Sequence, residues 1–157
     1  MSLCLATAAV ALQLAAPGFT LSWIHSVERT EWREHWRVEG RQLVLEQARV
    51  RGSGAGMDPG EGAVLQQGWW VWPGHRLTVP ALNLANSGAT VSGWTFCATD
   101  SGCHDLARWL THAGQAPESI RITANAGSCQ RLSAPLPLPG PTEATPTTPS
   151  PARGKRR

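Results

Sequence analysis

An all-β fold, a small antiparallel β-barrel or sandwich with a disordered Pro-rich C-terminal tail, is what this sequence predicts. Three observations lead there. Short apolar–polar alternations recur along the first 132 residues, with the period of strands that bury one face. Clusters of Gly, Pro, Asn and Asp separate them at short intervals. No long segment carries an apolar repeat of 3.6 residues, so the sequence calls for no sizeable helix.

The elements follow in order. Met1 to Ala16 is apolar and Ala-rich. No Lys or Arg precedes the apolar run and Gln13 interrupts it, so a hairpin of Leu3–Thr7 with Ala9–Ala15 is preferred to a signal sequence. At 16 residues the run is too short to span a bilayer, and no transmembrane segment is expected. Ala16-Pro17-Gly18 is a turn. From Phe19 to Val27, residues Phe19, Leu21, Trp23, His25 and Val27 share one face of a strand. From Trp32, residues Trp32, Glu34, Trp36 and Val38 alternate against Arg33, His35, Arg37 and Glu39, a second strand, with a helical turn around Glu31–Trp36 as the alternative. A turn at Glu39-Gly40-Arg41-Gln42 leads to a strand over Leu43 to Val50, expected to place Leu43, Leu45, Gln47 and Arg49 on one side. Short strands follow at Ala63–Leu65 and Gly68–Trp72. A further strand carries Leu77, Val79, Leu82 and Leu84, made irregular by Pro80. Gly93–Cys97 and His104–Leu106 form a hairpin, Ala107 to His112 a short helix or turn, and Ser119 to Ala124 the last strand.

The organisation is one β domain over residues 1–132 and a Pro/Thr-rich tail over 133–157. The tail holds Pro-rich sequence without aromatics, too little apolar surface to offset its ordering entropy. It also carries the charge. The chain is +3 overall, and Arg153, Lys155, Arg156 and Arg157 against Glu143 account for all of it, leaving the body at 10 basic and 10 acidic residues. A body without net charge argues against a nucleic-acid partner.

Cys4, Cys97, Cys103 and Cys129 allow three pairings. Cys97 and Cys103 flank the turn-like A-T-D-S-G, which favours a Cys97–Cys103 disulfide and, with it, Cys4–Cys129 joining the first strand to the last. Four buried free thiols are the alternative. The spacing lacks the C-x-x-C of common zinc modules.

The most conformationally special stretch is R-G-S-G-A-G-M at 51–57. A dinucleotide loop needs G-x-G-x-x-G opening a helix, and Asp58-Pro59-Gly60 cannot open one. A phosphate loop needs Lys before Ser or Thr, which are absent. What remains is a glycine-enabled bulge or corner, or a set of backbone N–H groups able to hold an anion. His25 and Ser26 are adjacent on a strand and point to opposite faces, so they form no nucleophile–base pair. His25 packing on tryptophans and hydrogen-bonding a carboxylate such as Glu34 is the plain reading, and a ligand-contacting histidine is the other. Trp69 and Trp70 must face opposite sides, which offers one indole to a partner surface or to the barrel mouth.

F-T-L-S-W-I-H-S-V-E at 19–28, W-R-E-H-W at 32–36, L-V-L-E-Q-A-R-V-R-G-S-G-A-G-M at 43–57, G-W-W-V-W at 68–72 and C-A-T-D-S-G-C-H-D-L at 97–106 together resemble an uncharacterised bacterial family of small domains of unknown function. Its members are often encoded beside TAXI-type tripartite ATP-independent periplasmic (TRAP) transporters. The resemblance covers most of the body and none of the tail, and its pattern falls on His25, Ser26, Val27, Glu34, Gly54, Ala55, Gly56 and Met57. One departure is Gln47, where the family tends to have Glu two residues before the arginine at 49. The resemblance implies an extracytoplasmic setting. The expected function is therefore a non-enzymatic binding or accessory module, needing no cofactor, whose partners are TRAP transporter components or a small anionic solute. Its site would be lined by His25, Ser26, Glu34, Gly52, Ser53, Gly54, Ala55, Gly56 and Met57. The alternative is a small metal-assisted hydrolase using His25, Glu28, Glu34 and His35.

Overall fold

A computed structural model describes residues 1–25, 28–52, 59–75, 77–86, 92–125 and 127–133. The tail beyond 133 lies outside them, as does most of the glycine stretch. The described chain is almost wholly antiparallel β structure: β1 (Ser2–Ala6), β2 (Ala11–Leu14), β3 (Gly18–Ile24), β4 (Glu31–Glu39), β5 (Gln42–Arg51), β6 (Val64–Gln66), β7 (Trp69–Pro73), β8 (Thr78–Val79), β9 (Ala81–Ala85), β10 (Thr95–Ala98), β11 (Gly102–Asp105), the one-turn helix α1 (Leu106–Trp109) and β12 (Ser119–Asn125). Asp105 caps α1 by accepting a hydrogen bond from the Arg108 backbone N–H at 2.9 Å.

Two sheets result. The smaller has the order β2-β1-β12-β9. The larger runs β11-β10-β3-β4-β5-β7-β6, with β8 paired to β5. Their apolar faces meet in a single core. Leu3 and Leu5 of β1, Ile120 and Ile122 of β12 and Leu84 of β9 lie against Phe19, Leu21, Trp36, Val38, Leu43, Leu45 and Phe96 of the larger sheet. Alternation explains the arrangement: β12 reads half-buried, buried, half-buried throughout its length, as a strand with one face on a core must. Phe19 and Phe96 stack with centroids 5.1 Å apart.

Two features of the chain depart from strict alternation. In the β4–β5 ladder, His35 is opposite Gln47 but Trp36 is opposite Leu45, so Glu46 is an extra residue and the register shifts there. This β-bulge corrects the expectation that Leu43, Leu45, Gln47 and Arg49 share a side. Leu43 and Leu45 face inward, and after the bulge Ala48 and Val50 do. Gln47, Arg49 and Arg51 therefore turn outward. The second departure is at Pro80. The expected single strand through Leu77 and Leu84 is two strands in different sheets: Thr78–Val79 pairs with β5 and Ala81–Ala85 with β12. Proline has no N–H to donate to a ladder, which suits the residue where the chain leaves one sheet for the other.

Both cysteine pairs are bonded. Cys97 and Cys103 are directly opposed in the β10–β11 hairpin, with Cα atoms 4.0 Å apart. Cys4 is joined to Cys129 at a Cα separation of 5.3 Å. Because Leu3 and Leu5 face the core, Cys4 points to the outer side of the small sheet, where the segment after β12 returns and the Leu132 N–H donates to the Thr7 carbonyl.

Candidate functional site

The inner face of the large sheet changes character along its length. The rungs under the small sheet carry Leu, Val and Phe. Beyond them the same face carries indoles. Trp23 is opposite Trp32 across β3–β4, and Trp70 and Trp72 are opposite Val50 and Ala48 across β5–β7. All are half-buried. Trp23 and Trp32 stack at 6.0 Å, Trp94 tilts against Trp23 at 5.0 Å, and Trp72 meets Trp32 edge-on at 6.0 Å. These are the geometries that the ring quadrupole favours. Trp94 Nε1 donates to the carbonyl of Ala85, at the end of β9, marking where the small sheet stops.

Glu34 stands where the dry core gives way to the indoles. It lies on β4 between Trp32 and Trp36, with Leu21 and Ala48 as its register partners. Its Oε2 accepts a hydrogen bond from Trp36 Nε1 at 2.9 Å. Burial raises its pKa above the ordinary 4.5, and the Trp36 hydrogen bond offsets this in part. No ion pair reaches it among the described residues. A carboxyl in this setting holds its proton to a higher pH than a surface glutamate and can then donate a hydrogen bond.

His25 follows β3 at the rim. Its N–H donates to the Thr30 carbonyl, its own carbonyl accepts from Arg29 N–H, and its Nδ1 accepts from the Glu28 N–H at 3.5 Å. The expected hydrogen bond to Glu34 is not made. Glu34 is opposite Leu21 and His25 is linked to Thr30, so the Trp23–Trp32 rung lies between the two side chains. Gly52 follows β5 at the same end of the sheet. It takes a φ of +82°, which disfavours any residue with a Cβ, and its N–H donates to the Gly68 carbonyl at 3.1 Å. With β4 between β3 and β5, the ends of those strands are about 10 Å apart. Topology thus brings His25 and Gly52 to one rim, with Glu34 deeper on the same face. Ser26, Ser53, Gly54, Ala55, Gly56 and Met57 lie outside the described residues. Where the chain is described again, Gly60 lies so close over Trp72 that a Cβ there would overlap Cδ1 and Nε1 of the indole. The chain that follows the glycine stretch therefore borders the tryptophan row.

His35, the remaining candidate, faces outward. Its Nδ1 shares a hydrogen bond with Thr20 Oγ1 at 3.1 Å. Its pKa is lowered, by burial first and then by Arg49 and Arg33. Glu34 and His35 are thus on opposite faces, and His25, Glu28, Glu34 and His35 do not form a cluster. On the same outward face is a grouping that sequence reasoning did not find, although Trp69 was one of the two indoles it offered to a partner surface. Trp69, opposite Arg51, lies on the outer face, and the guanidinium carbons of Arg33, Arg49 and Arg51 are 4.9, 5.1 and 5.8 Å from its centroid. Their separation in sequence hides this grouping, and the bulge at Glu46 is what puts Arg49 and Arg51 on the side of Arg33.

The fold and these faces define a two-sheet antiparallel β domain with indoles on both sides of its larger sheet. The chain belongs to the family described as Domain of unknown function (DUF1850), whose model matches residues 19–106, more than half its length. That span runs from the second residue of β3 through α1's first residue and contains the tryptophan row, Glu34 and the arginine cluster. Comparison with curated proteins and with solved structures finds no match.

Proposed function

We propose that the protein is a non-enzymatic binding or accessory module serving a TRAP-type solute-uptake system outside the cytoplasm. The observation that carries this reading is the row of half-buried indoles, Trp23, Trp32, Trp70 and Trp72, ending on the desolvated carboxyl of Glu34. Aromatic walls around a few placed polar groups are the usual chemistry of a small-molecule site. A protonated Glu34 donates a hydrogen bond to an acidic solute where an ionised one would repel it. His25 and Gly52 stand at the rim in this reading, with Ser53, Gly54, Ala55, Gly56 and Met57 proposed from the sequence as further ligand contacts. The link to TRAP components rests on the resemblance of H-S-V-E and G-S-G-A-G-M.

Tryptophan fluorescence tests the binding role. Titration with small carboxylates such as glutamate and succinate is expected to shift the emission of the native protein. Glu34→Gln, which keeps a donor, retains the response, and Glu34→Ala and Trp32→Ala lose it. Co-purification with TRAP membrane subunits tests the accessory role. A protein that neither responds to any carboxylate nor recovers transporter subunits is not this module.

A further inference from the structure

The outward face of the large sheet holds a second cluster, built from alternate positions of the same strands. Arg33 and Arg49 are register partners across β4–β5, and like charges directly opposed are destabilising. Arg51 joins them around Trp69, within 5.8 Å of its centroid. Among the described residues only one carboxylate is paired with the three, Glu31 on Arg33 at 2.6 Å. The Nε of Arg49 is buried and lacks a hydrogen-bond partner, which costs free energy. The indole orders the guanidiniums without neutralising them.

The geometry points to a phosphate-binding site on this face, in which Arg33, Arg49 and Arg51, ordered on Trp69, hold the dianionic phosphate of a phosphorylated ligand. A carboxylate presents two oxygens and is satisfied by one arginine fork. A phosphate monoester presents three oxygens and about two charges, matching several forks and the two arginines left after Glu31. His35, which feels the charges of Arg49 and Arg33, also lines a groove of about 490 Å³ with Thr20, Arg37, Glu46 and the Cys97–Cys103 hairpin, where Glu46 is paired with Arg37 at 2.7 Å, and this groove has room for the rest of such a molecule. The phosphate could belong to a soluble compound or to a lipid headgroup, and the chemistry of recognition is the same.

The test is calorimetric titration of the full chain with pyrophosphate, alongside flotation with phosphatidylcholine vesicles with and without phosphatidic acid. The native protein binds at least one of these anionic probes. Binding of pyrophosphate without flotation assigns a soluble ligand, and flotation only with phosphatidic acid assigns a headgroup. Arg49→Ala weakens binding by about tenfold or more, and Arg49→Lys, which keeps the charge but loses the fork, falls between. Arg41→Ala, on the β4–β5 turn, binds as the native chain does. Circular dichroism verifies that the variants fold, and Arg49→Lys carries the comparison if Arg49→Ala does not. No binding of either probe, or native affinity in a folded Arg49 variant, overturns the site. Glu34 and the inner face take no part, so this result stands or falls apart from the carboxylate titration.

Discussion

At Glu34, burial and charge oppose each other. The carboxyl keeps its proton to a higher pH in the folded chain than in the unfolded one, because burial outweighs the Trp36 hydrogen bond. The native state then binds more protons than the unfolded state between the two pKa values. Stability is accordingly greatest below the ordinary value of 4.5 and falls as pH rises from there through the raised folded value. Glu34→Gln preserves an acceptor for Trp36 Nε1 and has no charge to desolvate. Urea unfolding followed from about pH 4 upward should show the variant gaining on the native protein as pH rises through the raised folded value of Glu34, and levelling off above it. A constant difference across that range would mean that the carboxyl is not desolvated. His35 contributes with the opposite sign. Its lowered pKa makes stability rise as pH climbs toward 6.5, and Arg49→Gln, by removing one of its causes, should move the His35 titration upward in an NMR experiment. Neither shift was readable in the sequence, where Glu34 and His35 are simply neighbours. Burial depends on which elements pack above them.

Among the elements, the β10–β11 hairpin was the most legible. Cys97 and Cys103 with A-T-D-S-G between them state a turn closed by a disulfide, and the register places them directly opposite. Its other supports are independent of sulfur: β10 pairs with β3, and Phe96 is fully buried on Phe19. Closing so short a loop restrains the unfolded chain only modestly. Replacing both cysteines by Ala should lower the unfolding free energy by about 2 kcal/mol, read from urea midpoints, with the fold retained. Collapse of the β structure in that variant would show the hairpin to depend on its crosslink. The strand β5 was less legible. Its sequence supports either continuous alternation or a break, and the bulge at Glu46 is selected because Ala48 and Val50 then return to the core while Arg49 and Arg51 reach water. The salt bridge from Arg37 Nε to Glu46 at 2.7 Å is exposed and adds little to that choice.

In the whole molecule, the Cys4–Cys129 bond ties the first strand to the segment after the last, across 125 positions. A loop of that length loses far more freedom in the unfolded chain, about 5 kcal/mol in the chain-entropy account. The double Ala replacement here should therefore lower the unfolding free energy about twice as much as in the hairpin, again measured in urea, and equal losses would remove the entropic explanation. The sequence by itself determined the all-β class, the main hairpins and the alternating faces of β3, β4 and β12, and it favoured the Cys97–Cys103 pairing, because each rests on local physics: a period of two, a turn residue, a short loop. Only the tertiary structure decided that Pro80 divides one apolar run between two sheets, that the small sheet stops at Ala85 and leaves a row of indoles beside Glu34, and that three arginines from two strands converge on Trp69. Those outcomes depend on cross-strand register and on what one sheet covers of another. Such choices are made by packing between residues far apart in the chain, where local alternation has no say.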